Sequence, residues 1–118
     1  VPTNPPVKVL SEETSKEVAR VLVSVVDEKL GEGKFKISST SVAAKTGTAQ
    51  IPSPNGGYYT DRYNHTFFGY FPAYDPKYII FLMNFEPQGA QYSSETLAQP
   101  FSDIVSFLIN YGNIAPDR

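Results

Sequence analysis

The sequence predicts an α/β chain of the α+β type, an antiparallel three-stranded meander flanked by an N-terminal and a C-terminal helix. Three observations carry this. Apolar residues recur at helical spacing from Val18 to Val26 and again from Leu97 to Ile109. Between them lie three stretches rich in β-branched and aromatic residues, each bounded by Gly, Pro, Asn or Asp. The connections between these stretches carry no helical pattern, which favours antiparallel pairing over parallel crossovers.

The elements follow in order. Residues 1–6 hold three prolines and read as an extended lead-in, because Pro fixes its own φ and restricts the residue before it. Ser11 is placed to cap a helix in which Glu12 and Glu13 favour the positive end of the dipole. Its apolar residues are Val18, Val21, Leu22, Val25 and Val26, and Gly31 and Gly33 end it. The Val-rich run at 21–26 is also compatible with a strand, but the cap and the polar Glu17, Arg20 and Ser24 decide for a helix. From residue 34 to 51 the pattern is strand-like, best defined over 42–50. Residues 51–65, with Pro52, Pro54, Asn55, Gly56 and Gly57, read as a long loop. Strands at 66–71 and 78–85 are joined through Pro72, Asp75 and Pro76. The last helix carries Leu97, Phe101, Ile104, Val105, Leu108 and Ile109, with Pro100 expected in its first turn and Gly112 closing it.

Composition narrows the function. Ten basic and twelve acidic residues give a net charge of −2, without the basic cluster of a nucleic-acid binder. A 41% hydrophobic fraction with eight Phe and eight Tyr supplies a core and argues against disorder. Zero Cys and one His leave no thiolate metal site and no Cys nucleophile, so neither a metal nor another cofactor is expected. Cys avoidance fits an oxidising extracytoplasmic compartment and also occurs in the cytosol. No apolar run approaches the roughly 20 residues of a membrane span, and a chain that opens on Val1 is expected to have been excised from something longer.

The stretch with chemical content is Val42-Ala43-Ala44-Lys45-Thr46-Gly47-Thr48-Ala49-Gln50. Alternation along a strand points Thr46, Thr48 and Gln50 to one face and Lys45 to the other. Two hydroxyls and an amide then line one surface beside Gly47, whose missing side chain would admit the backbone of an extended ligand at a sheet edge. Hydroxyl donors, a nearby ammonium and free backbone N–H groups suit a peptide-like substrate with a carboxylate. The same letters also describe a surface strand of small polar residues, and Lys-Thr-Gly alone favours that reading.

The flanking residues decide. Residues 42–50 resemble the Lys-Thr-Gly-Thr-Ala-Gln strand of the class B penicillin-binding proteins, the peptidoglycan D,D-transpeptidases. His65-Thr66-Phe67-Phe68-Gly69-Tyr70-Phe71-Pro72 resembles that family's next strand, and Asp75-Pro76-Lys77-Tyr78 with its apolar run resembles the one after. Ala98-Gln99-Pro100-Phe101 is similar to the family's C-terminal helix, so the resemblance runs from about Ser11 to Pro116. It implies the penicillin-binding/serine β-lactamase-like fold, with this chain, residues 1–118, as the C-terminal part of the transpeptidase domain and half of its five-stranded sheet. Thr46, Thr48 and, with them, Gly47 and Gln50 would line the substrate site. Lys45 would polarise the Ser of a Ser-x-Asn motif, and the Thr48 N–H would give half of an oxyanion hole.

The chain departs from the family in lacking Ser-x-x-Lys, the nucleophile motif. Ser53-Pro54-Asn55 fits Ser-x-Asn by letters but follows Lys45, whereas the family's motif precedes it, and Ala44 stands where Gly is usual. The expected partners are peptidoglycan stem peptides, β-lactams and the N-terminal remainder of the domain, without nucleic acid. The resemblance further implies an extracytoplasmic location, with membrane contact only through an N-terminal anchor that these residues lack. Within the superfamily the alternative is a serine β-lactamase or β-lactam sensor; outside it, a non-catalytic peptide-binding module.

Other side chains have plainer readings. His65 is expected as a turn or hydrogen-bonding residue at a strand start, Tyr58, Tyr59 and Tyr63 as residues folding the long loop on itself or, as the alternative, meeting substrate at a cleft rim, and Asp61-Arg62 as a solvated charge pair. Glu12, Glu13, Glu17, Asp27 and Glu28 form the exposed face of the first helix. Residues 78–85 are apolar at nearly every position, so both faces of that strand call for cover, and the resemblance implies that its far edge lacks here the strand it would pair with.

Overall fold

The computed structural model describes residues 3–118; Val1 and Pro2, at the start of the expected lead-in, lie outside them. Residues 3–10 contain no helix or strand. Helix α1 spans Glu12–Ser24, with the Ser11 hydroxyl accepting from the Thr14 N–H at 3.1 Å, as the cap predicted. The chain then widens into a π-turn over Val25–Lys29 and tightens into a 3-10 turn over Leu30–Gly33. Gly31 and Gly33 adopt positive φ there and end the helical segment.

Three strands follow: β1 at Ala43–Pro52, β2 at Tyr58–Phe71 and β3 at Tyr78–Phe85. They form one antiparallel sheet in the order β1-β2-β3, so β2 is central and each outer strand has one edge unpaired among the described residues. Helix α2, Ser93–Tyr111, closes the fold at Gly112.

The sheet is a two-sided surface with unequal cover. In the observed register, Ala44 faces Gly69, Thr46 faces Phe67, Thr48 faces His65 and Gln50 faces Tyr63. These residues, with Ile80 and Leu82 of β3, share the face on which α2 lies. The core is built there from Val42, Ala44, Phe67, Phe71, Ile80, Leu97, Ala98, Phe101 and Val105, joined by Val26 and Leu30 from the turns after α1. Phe67 is fully buried and meets Phe101 at 4.6 Å between ring centroids. Gly69 lies under the same ring: a Cβ there would stand 2.6 Å from Phe101 Cε2 and 2.8 Å from the Ala43 carbonyl. Helix α1 covers only one end of the other face, where Val23 packs with Ala43 and Ala73. Past that end, Ile79, Phe81, Met83 and Phe85 are half to two-thirds exposed.

Four expectations are corrected. The stretch 34–51 is strand only from Ala43 onward; before it the chain is irregular. The long loop at 51–65 is mostly a hairpin, with β1 continuing to Pro52, β2 starting at Tyr58, and a turn at 53–57 closed by Ser53 N–H to the Gly57 carbonyl at 2.9 Å. Pro52 is tolerated because β1 is an edge strand, and the hairpin tip is wet on both faces, so no alternation marks it. Helix α2 begins earlier than its apolar period, on the polar Ser93, Ser94, Glu95 and Thr96, which puts Pro100 in the helix interior and not in its first turn. Lastly, α1 buries Ala19 and Val23, while Val18 and Val21 from the predicted apolar stripe are nearly half exposed.

Candidate active site

Strand β1 carries Lys45, Thr46, Gly47, Thr48 and Gln50 along the edge of the sheet, and register places them as alternation predicted. Lys45 and Gly47 lie on the face with Thr66 and Phe68; Thr46, Thr48 and Gln50 lie on the face with Phe67, His65 and Tyr63. The Lys45 ammonium is exposed and donates to the Thr46 carbonyl at 2.8 Å. The Thr46 hydroxyl is half-buried and makes no hydrogen bond among the described residues, so its donor is available at the strand edge.

Thr48 is differently held. Its hydroxyl oxygen accepts from the backbone N–H of Ser93, the first residue of α2, at 3.0 Å. Glu95 satisfies the two N–H groups just before the helix: its carboxylate accepts from Tyr92 at 2.7 Å and from Gln91 at 3.1 Å. The Ser93 side chain is fully buried, and its Oγ has no partner among the described residues. Beneath this corner lies His65, fully buried, with Nδ1 2.7 Å from Thr96 Oγ1 and Nε2 2.8 Å from the Gln91 carbonyl. His65 is therefore a hydrogen-bonding residue, in the middle of β2 and not at a strand start. Its link to α2 was not visible in sequence, because the residues it joins lie 26 and 31 positions away.

Gln50 donates one amide N–H to the Tyr59 carbonyl, 3.1 Å away, and so braces the hairpin. Ser53 sits in the hairpin turn, where its hydroxyl accepts from the Asn55 N–H at 3.3 Å. The tyrosines expected to fold a loop instead stand on β2: Tyr63 donates to the Thr60 carbonyl at 2.9 Å, and the Arg62 guanidinium lies 4.4 Å from the Tyr59 ring. Arg62 pairs with Glu86 at 2.6 Å and not with Asp61, and its hydrogen bond to Glu86 raises its pKa further. The pair joins β2 to the residue that follows β3, where the chain leaves the sheet.

Gly47 has a reason in the fold. A Cβ at Gly47 would overlap Thr66 Oγ1, its cross-strand partner, so the space left by the missing side chain is already filled from within. The expectation that this space admits a ligand backbone is corrected on this point. Gly47→Ala should cost about 1–3 kcal/mol of stability by overpacking, and adding Thr66→Ala should recover most of it. Chemical denaturation of the single and double variants checks this. A double variant no more stable than Gly47→Ala alone would mean that Thr66 is not the obstacle.

By architecture this is an α+β unit, a three-stranded antiparallel sheet with a helix on each face and a Lys-Thr-Gly strand on its edge. The family model described as the penicillin binding protein transpeptidase domain matches residues 1–106, and the chain belongs to that family. Penicillin-binding protein PbpB of Mycolicibacterium smegmatis is 36% identical over 122 aligned residues, covering 94% of this chain and 19% of that protein. Stage V sporulation protein D of Bacillus subtilis is 37% identical over 93 residues, 79% of this chain and 14% of that protein. Among solved structures, penicillin binding protein 3 of Mycobacterium tuberculosis superposes with a TM-score of 0.81 at 29% identity in its apo form, covering 100% of this chain and 28% of that one. The same protein complexed with ampicillin superposes with a TM-score of 0.77 at 29% identity, covering 97% of this chain and 28% of that one. The chain thus spans under a third of each of these relatives.

Proposed function

We propose that residues 1–118 are the C-terminal part of a D,D-transpeptidase domain, from the helix before the Lys-Thr-Gly strand to the C-terminal helix, and that they supply one wall of its active site. The observation that carries this is the family match over residues 1–106 together with Lys45-Thr46-Gly47-Thr48 on a free sheet edge. The nucleophile comes from residues outside this chain, since none of its serines has Lys three places on. The uncovered face at Ile79, Phe81, Met83 and Phe85 and the unpaired edge of β3 are where the rest of the domain docks.

In the complete domain, the serine oxygen adds to the carbonyl of the penultimate D-Ala of a stem peptide, and its proton passes to the leaving amine. Terminal D-Ala departs, and an amine of a second stem takes the acyl group and restores the serine hydroxyl. The role of this chain is binding and electrostatics. Thr46 and Thr48 donate to the terminal carboxylate, and the Thr48 N–H faces the oxyanion. Lys45 polarises the serine of a Ser-x-Asn motif, which requires its ammonium to leave the Thr46 carbonyl. With one amide N–H held by the Tyr59 carbonyl, Gln50 keeps its other N–H and its carbonyl oxygen for the ligand. Gly47 contributes by letting β1 and β2 approach closely.

Penicillins mimic the same peptide end and acylate the same serine. The ampicillin and aztreonam complexes of the Mycobacterium tuberculosis relative support this for the family fold. The site works outside the plasma membrane, where peptidoglycan is. Among the described residues no helix is long and apolar enough to cross a membrane, so any anchor belongs to other residues. Relatives named D,D-transpeptidases, as in Neisseria gonorrhoeae, favour this reading over a β-lactamase or sensor. The test is release of D-Ala from a pentapeptide ending in D-Ala-D-Ala by the polypeptide joining this chain to its Ser-x-x-Lys segment. No D-Ala release, with intact folding, would overturn the proposal.

A further inference from the structure

We infer that His65 is a positioning residue for Thr48: by tying the start of α2 to β2, it keeps the Ser93 N–H on Thr48 Oγ1 and commits the Thr48 hydroxyl to donate outward. The inference rests on the reading of Thr48 as a carboxylate ligand given above.

A threonine hydroxyl has one hydrogen to donate and two lone pairs to accept with. Where the Ser93 N–H donates to Thr48 Oγ1 at 3.0 Å, the hydroxyl hydrogen cannot lie on that line and must point elsewhere. Thr48 is exposed on an edge strand, so the remaining direction leads to the solvent side of β1, where a ligand carboxylate would lie. The donor is the first residue of a 19-residue helix, whose terminal N–H groups carry partial positive charge. That charge withdraws electrons from the hydroxyl oxygen and strengthens its donation to an anion.

The arrangement depends on the helix start staying where it is. Ser93 is bracketed by the two residues that His65 holds, Gln91 before it and Thr96 after it. The Gln91 carbonyl can only accept, so Nε2 donates to it; Nδ1 then faces the Thr96 hydroxyl. His65 is also the cross-strand partner of Thr48, so one register position fixes both ends of the relay from β1 to α2. Fully buried, the imidazole does not touch substrate and acts through Ser93 and Thr48. Without it, the corner keeps the Glu95 bonds at the helix start but loses its two attachments to β2.

The experiment measures acylation by a fluorescent penicillin, and by its methyl ester, in the polypeptide carrying both this chain and the Ser-x-x-Lys segment. The variants are His65→Leu, Thr96→Val, Thr96→Ser, Thr48→Val and the Thr96→Val/Thr48→Val pair. Thr48→Val and Thr96→Val should each slow acylation by the free acid about tenfold, the scale of one hydrogen bond, and slow the ester much less. Thr96→Ser, which keeps the hydroxyl, should restore the rate, and His65→Leu should match Thr96→Val where it folds. The pair should be no slower than Thr48→Val alone, because the effect passes through that hydroxyl. A further tenfold loss in the pair, or equal losses for acid and ester in Thr96→Val, would overturn the inference while leaving Thr48 in the site. No effect of Thr48→Val would instead remove Thr48 as a carboxylate ligand, and the inference with it.

Discussion

Phe67→Ala should lower stability by about 3–5 kcal/mol, the largest single loss expected in this chain. The ring is fully buried at the centre of β2, packs at a tilt against Phe101 of α2, and lies in the layer that joins Val42, Phe71, Leu97 and Val105. Deleting it opens a cavity that Gly69, on the same face two residues on, cannot fill. Because α2 also supplies the N–H that holds Thr48, the loss should reach the site as well as the fold. Denaturant unfolding of the complete polypeptide measures the first effect. Hydrogen exchange at α2 and β1 measures the second, with faster exchange expected in both elements. Normal protection of α2 in the variant would show that the helix does not depend on Phe67.

Thr46→Val should slow acylation by penicillin by an amount equivalent to about 1.5–3 kcal/mol, the worth of one hydrogen bond to a charged group. Thr46 differs from Thr48 in that its hydroxyl has no partner among the described residues, so its removal takes away only the bond to the ligand and orphans no group of the fold. The suitable control is Thr60→Val on the exposed part of β2. Thr66→Val is a poor one, because Thr66 Oγ1 stands against Gly47. Val keeps the β-branched shape, and the strand should be unchanged. Equal acylation rates for Thr46→Val and Thr60→Val would take Thr46 out of the site.

What the sequence made legible, and what it hid, divides along physical lines. The strand order, the Ser11 cap and the alternation along β1 were readable because each depends on neighbours in the chain. The hairpin tip from Tyr58 was not, since a strand wet on both faces shows no period. Nor was the polar first turn of α2, which is a helix because Glu95 caps it and β2 receives it, not because it has an apolar stripe. In the proposed site, Lys45, Thr46 and Thr48 were singled out by their motif. The reason for Gly47 and the role of His65 lay in cross-strand and helix contacts far off in sequence, and only the three-dimensional register brings them to β1.

The uncovered face of the sheet bears on every one of these tests. Ile79, Phe81, Met83 and Phe85 form an apolar row beside an unpaired strand edge, which is a template for association when nothing covers it. Stability and acylation are therefore to be measured in the longer polypeptide, in which that row is expected to be covered.

The most direct test of the central claim, that this chain is a binding wall and not a complete catalyst, is labelling with a fluorescent penicillin followed by denaturing electrophoresis and mass mapping of the adduct. The claim predicts no covalent adduct on the 118 residues alone, and, in the longer polypeptide, one adduct on the serine of Ser-x-x-Lys. An adduct on any serine of residues 1–118 would contradict it.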